Sequence, residues 1–143
     1  MVRLSRYLHY IPEIQMRNSI LIVDDDPQIR RLCRITLAEP GYCLREASNG
    51  KEALAAIRET SFDLILLDLC MPDMDGIEFL IAVRAELPKL KVIGMSGYMG
   101  GTMLPVARQL GGAATLAKPF SPEALLSLVN EVLAEHGSVP PSD

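Results

Sequence analysis

A chain of 143 residues, 49% hydrophobic and 22% charged, suits one compact domain with a sizeable core and is short for two. Its net charge of −4, 5% aromatic content and lack of tryptophan exclude the basic footprint of a nucleic-acid binder and the stacking platforms that hold single strands. No apolar run approaches the ~18 residues of a membrane helix, and the N-terminal MVRLSRYLHYIPEIQMR is too interrupted for a secretory signal. A cytoplasmic protein is expected. Cys33, Cys43 and Cys70 form no CxxC pair and are odd in number, so they read as buried thiols in a reducing compartment.

In chain order, SILIV (Ser19 to Val23) is a short apolar run ending in acids, as a buried strand would be. Asp26-Pro27 then reads as an N-cap with proline at the first helical position. Ile29, Leu32, Cys33 and Leu37 face inward from that helix, and Pro40-Gly41 ends it. YCLREA is a weaker strand, and a helix from Ser48-Asn49 turns Ala53, Leu54 and Ile57 inward. DLILLDL is the most apolar strand and is placed at the centre of the sheet. After MPDMDG, a helix with Ile77, Leu80, Ile81 and Leu87 inward stops near Pro88. KVIGMS is a fourth strand, GYMGGTMLP delays the next helix, and AATLA is a fifth strand. Ser121-Pro122-Glu123 opens a last helix with Leu125, Leu128, Val129 and Val132 on its inner face.

Five alternations of strand and helix predict a parallel sheet with helices on both faces. In such sheets ligands gather at the carboxyl ends of the strands. Asp24-Asp25, Asp68, Ser96 and Lys118 end strands one, three, four and five, so the conspicuous polar residues converge on one edge. Two carboxylates ~4 Å apart repel by about 1 kcal/mol in water and about 4 kcal/mol at an effective dielectric near 20. Either some of them stay protonated or a cation settles among them. Oxygen ligands with room for water favour Mg2+. A carboxylate nucleophile, a hard dication, an ammonium and a hydroxyl are the parts that phosphoryl transfer to an aspartate requires.

Each piece also has an ordinary reading. An acidic pair after a strand is commonly a cap with a solvated neighbour, and a lone serine or lysine is commonly structural. Asp73 and Asp75 read as loop and cap residues, with Asp75-Gly76 opening a helix, and Asp63 reads as a surface residue. Asp68, ending the most buried strand, resists such a reading. An EF-hand set on Asp75-Gly76 would put Met71 at its first position and Ala82 at its twelfth, and fails. A P-loop fails too, because Gly97 to Thr102 holds no lysine.

ILIVDDDPQIRRL, DLILLDLCMPDMDG, GMSG and AKPF, in that order over Ser19 to Glu135, resemble the signatures of the receiver domain of bacterial two-component response regulators. The resemblance implies a flavodoxin-like doubly wound sheet of five parallel strands in the order 2-1-3-4-5. It implies residues 1–17 as an extension, 18–135 as the receiver and 136–143 as a tail. Asp68 matches the phosphoacceptor, charged from a phosphohistidine on a sensor histidine kinase or a histidine phosphotransfer protein. Asp25 and Asp68 match direct Mg2+ ligands, Asp24 an acid acting through water, and the Cys70 backbone carbonyl a third protein ligand. Ser96 matches the switch hydroxyl, Lys118 the lysine that pairs with the phosphoryl group, and Lys118-Pro119 a peptide bond usually cis in the family. Such a protein catalyses only its own phosphorylation and dephosphorylation.

Three features depart from the pattern or lie beyond it. Thr115 stands where the family usually has an aromatic, so the signal is expected to travel through the loop after Ser96, with Gly97, Gly100 and Gly101. Cys70 and Tyr98, two residues after the phosphoacceptor and the hydroxyl, are expected to hinder water and prolong the phosphorylated state. If the chain is the full gene product, the segment after Leu133 is expected to leave no room for an output domain. Action is therefore expected through docking, by the fourth helix, fifth strand and fifth helix, or through a relay, with a phosphorylation-dependent dimer compatible with either. Leu4, Tyr7, Leu8 and Ile11 are at helical spacing, as in an amphipathic arm, whereas Met16 as the usual start would make the segment an extension. His9 and His136 belong to no cluster. The alternatives are a degenerate docking receiver and an aspartate-based phosphohydrolase, which would want an acid where Cys70 stands.

Overall fold

The computed structural model describes residues 17–71, 74–97, 105 and 114–137. Along the chain run β1 (Ser19–Val23), α1 (Pro27–Ala38), β2 (Cys43–Ala47), α2 (Gly50–Glu59) and β3 (Leu64–Asp68). A two-residue hairpin, β4 (Cys70–Met71) and β5 (Met74–Asp75), leads into α3 (Gly76–Glu86). Then come β6 (Lys91–Ser96), β7 (Ala114–Ala117) and α4 (Pro122–Gly137). One five-stranded sheet has the order β2-β1-β3-β6-β7, with every pairing parallel. With the small antiparallel hairpin set aside, this is the doubly wound order 2-1-3-4-5.

The central strands alternate between two cores. Leu21, Val23, Ile65, Leu67 and Val92 point to one face and pack with Ala53 and Ala56 of α2 and Phe79, Leu80 and Val83 of α3. Ile20, Ile22, Leu64, Leu66, Ile93 and Met95 point to the other, against Cys33 and Leu37 of α1 and Leu125, Val129 and Val132 of α4. Every residue of β3 is buried, as its unbroken apolar run and central position require.

Local chemistry sets the helix ends. Asp26 caps α1 by accepting from the Gln28 N–H, with Pro27 at the first helical position. Gly41 takes φ +102°, a left-handed conformation that favours glycine, and its N–H donates to the Ala38 carbonyl beyond α1. Asn49 accepts from the Glu52 N–H while Glu52 reaches back to the N–H and hydroxyl of Ser48, a reciprocal cap for α2. Those bonds hold the Glu52 carboxyl below its usual range.

Four expectations change. Cys43, on edge strand β2, and Cys70, just past β3, are exposed thiols; only Cys33 is buried, and burial pushes it up to about 12. The inner face of α3 is Phe79, Leu80 and Val83, while Ile81 and Leu87 are 50% and 38% exposed. Asp63 is half-buried rather than a surface residue: its Oδ2 accepts from the Ser19 N–H at 2.8 Å, tying the start of β1 to that of β3. Helical backbone continues through Gly137, two residues into the segment read as tail. The N-terminal arm, His9, Pro72, Asp73, Tyr98, Gly100, Gly101 and most of the segment between β6 and β7, where a helix is expected, lie outside the described residues. No described helix is long and apolar enough to cross a membrane.

Candidate functional site

The carboxyl ends of β1, β3, β6 and β7 bring together the side chains expected there. Asp24 follows β1 and is fully buried; Asp68 ends β3 and is 4% exposed; Ser96 ends β6 and is buried. Asp25, one residue beyond Asp24, is exposed. Carboxylate oxygens of Asp24, Asp25 and Asp68 lie within 4.8 Å of one another. Lys118, just past β7, places Nζ 2.8 Å from Asp24 Oδ2 and 3.5 Å from Asp68 Oδ2. The Lys118-Pro119 peptide is cis.

Backbone contacts hold these groups in register. The Leu69 N–H donates to the Met95 carbonyl and the Lys118 N–H to the Ser96 carbonyl, so the site loops continue the sheet's ladder by one bond each. Gly97 lets the strands close: a Cβ there would stand 3.1 Å from the Lys118 Cβ and carbonyl oxygen. Gly76 is needed more sharply, since a Cβ would meet the Leu69 Cα at 2.5 Å. The start of α3 thus presses against the turn that follows β3.

The electrostatics follow from this crowding. Burial, then the Asp24 charge, pushes the Asp68 carboxyl up to about 6; the Cys70 N–H, which donates to Asp68 Oδ1 at 3.1 Å, and Lys118 oppose the rise. Burial works to lower the Lys118 ammonium, but the bond to Asp24 and the charges of Asp24 and Asp68 prevail and raise it. Three carboxylates face one ammonium, so the fully ionised cluster carries an excess of negative charge. Its donors are all hard oxygens, and the exposed Asp25 side leaves solvent at hand. That chemistry fits a small hard dication that keeps part of its water shell.

One apolar cleft lies away from the chemistry. A cleft of about 450 Å3, lined by Ile57, Phe62, Leu87 and Leu90 among others, sits at the opposite edge of the sheet and holds none of the three clustered acids. Sequence reading also missed Arg30 and Glu46. Arg30 Nη1 donates to the Asp24 carbonyl at 2.7 Å and its Nε to Glu46 Oε1 at 3.2 Å. The packing of α1 against β1 and β2 brings these residues together, and no spacing along the chain signals it.

Residues 20–130 match the model of the response regulator receiver domain. The chain belongs to the response regulator receiver family. Among relatives of this receiver, the transcriptional regulatory protein SrrA of Staphylococcus aureus is 36% identical over 118 residues, which are 82% of this chain and 48% of SrrA. The chain thus spans about half the length of the curated relatives it matches. The chemotaxis response regulator CheY4 of Vibrio cholerae superposes with a TM-score of 0.75 at 33% identity, covering 82% of this chain and 99% of that one. A CheY-like receiver domain protein of Methanospirillum hungatei gives 0.79 at 34% identity, covering 84% and 96%.

Proposed function

We propose that this receiver accepts a phosphoryl group on Asp68 from a phosphohistidine of a sensor histidine kinase or histidine phosphotransfer protein, with Mg2+ bound, and switches partner binding as a result. The observation that carries the reading is the convergence of Asp24, Asp25, Asp68, Ser96 and Lys118 at the carboxyl edge of one parallel sheet, with Lys118 Nζ within 3.5 Å of two of the acids. Asp25, Asp68 and the Cys70 backbone carbonyl would hold the ion, with Asp24 acting through water. Bound there, Mg2+ supplies neutralisation of charge on the transferred group.

The chain's own residues do the rest. Asp68 Oδ2 faces Lys118 and is the nucleophile, while Oδ1 is occupied by the Cys70 N–H. Lys118 carries the cation that an arriving phosphoryl group meets, and its 3.5 Å contact to Asp68 is the weaker of its two. Ser96 Oγ donates to the phosphoryl oxygens. The Cys70 thiol lies 3.7 Å from Ser96 Oγ. A thiol is a poor hydrogen-bonding partner for an attacking water, so the acyl phosphate is long-lived, persisting well beyond seconds in Mg2+. Phosphate output is confined to the protein's own dephosphorylation, without turnover of other phosphomonoesters. A downstream partner docks by the face built from β7, α4 and the helix expected between β6 and β7, in the cytoplasm.

Intact mass after incubation with acetyl phosphate and Mg2+ tests the reading. One added phosphoryl group is expected in the wild type and none in Asp68→Asn or with chelator. An adduct that persists, with no hydrolysis of added phosphomonoesters, separates a receiver from a phosphohydrolase. No adduct in the wild type would leave a docking module that works without phosphate.

A further inference from the structure

The acids of the site are held by more than their own strand. All four polar atoms of Asp24 have partners: its N–H donates to the Ala47 carbonyl at 3.2 Å, Oδ1 accepts from the Asp26 N–H, Oδ2 from Lys118, and the backbone carbonyl from Arg30 Nη1 at 2.7 Å. That carbonyl belongs to the peptide joining Asp24 to Asp25. Fixing it fixes the plane from which the exposed Asp25 side chain departs. Arg30 is aimed in turn by Glu46, whose Oε1 takes the Arg30 Nε while Oε2 is held by Arg34. Glu46 and Ala47 are consecutive on β2, a strand that contributes no side chain to the acidic cluster.

We infer that Arg30, aimed by Glu46, is a positioning residue for the Asp24–Asp25 pair, and that β2 thereby sets the orientation of Asp25. This rests on the reading of the acidic cluster as a Mg2+ site. Arg30 pairs with the Glu46 carboxylate, so the Arg30 and Glu46 charges cancel to first order. Removing Arg30 frees the Asp24–Asp25 peptide and also takes a positive charge from beside the acids, which alone would favour a dication; weaker Mg2+ binding therefore reports the lost positioning and not the field. Glu46 reaches the acids by contact through Arg30.

The test is the Mg2+ dissociation constant of the full chain, followed by amide chemical shifts, with the urea midpoint measured in chelator alongside. Arg30→Met is expected to weaken Mg2+ binding about tenfold, as loss of groups that orient metal ligands commonly does. Glu46→Gln should weaken it less, and the double variant no more than Arg30→Met alone, the non-additive pattern of residues acting in series. Arg30→Lys should recover part of the affinity. Arg45→Met, which breaks only the exposed Arg45–Glu59 pair on the same strand, should leave it unchanged. A merely structural role would lower the urea midpoint and leave the dissociation constant alone. If Arg30→Met does not fold, Glu46→Gln carries the same reading. Wild-type affinity within twofold in Arg30→Met, or in Glu46→Gln where that stands in, overturns the inference. A wild type that binds no Mg2+ overturns the reading of the site and the inference with it.

Discussion

Asp68 puts a carboxyl where burial and a neighbouring acid both penalise its charge, and this has a signed consequence for stability. Its folded value, about 6, lies above its ordinary 3.8, so the folded chain keeps a proton that the unfolded chain gives up. In chelator, stability from this group is full below about pH 4 and is lost as pH rises through about 6. Asp68→Asn removes the penalty. It should melt several degrees above the wild type at pH 8, a gain of about 1–3 kcal/mol, with the difference shrinking towards pH 4. Equal melting temperatures at pH 8 would mean that Lys118 already offsets the charge. Asp68 was legible in sequence because an acid ending so apolar a strand has few structural uses. Arg30 and Glu46 were not, since sixteen residues and a strand pairing separate them.

At the scale of elements, legibility followed the sharpness of each pattern. β1 and β3 are unbroken apolar runs, and the helix starts carry capping residues, so their places were readable. α3 was not, because GIEFLIAVRAE is apolar nearly all round and offers two candidate inner faces; packing chose Phe79, Leu80 and Val83 over Ile81. The steric demand at its first residue was also hidden. Gly76→Ala drives a methyl to within 2.5 Å of the Leu69 backbone, which cannot yield as a flexible side chain would. A loss of about 1–3 kcal/mol in urea unfolding is expected, with slower phosphorylation of Asp68 because the strained turn carries Cys70. Asp63→Ala removes the acceptor for the Ser19 N–H and should cost about 1 kcal/mol without touching phosphorylation.

For the whole molecule, an ion bound at the acidic edge, as proposed, would couple its binding to folding. A ligand that binds only the folded chain adds RT ln(1 + [L]/Kd), about 1.4 kcal/mol at ten times Kd. Mg2+ should therefore raise the melting temperature of the wild type by a few degrees and leave Asp25→Asn almost unmoved; an equal rise in both would place the ion elsewhere. The alternation of β1 between two cores reaches further. Ile20 and Ile22 belong to one, Leu21 and Val23 to the other, and Asp24 follows as the next step of the same count. Inserting one residue into β1 would exchange the two sets of side chains and bring Val23 to the rim in place of the acid. Chemistry and folding share a single reading frame along this strand, so the site cannot drift by one position and leave a folded protein behind to show it.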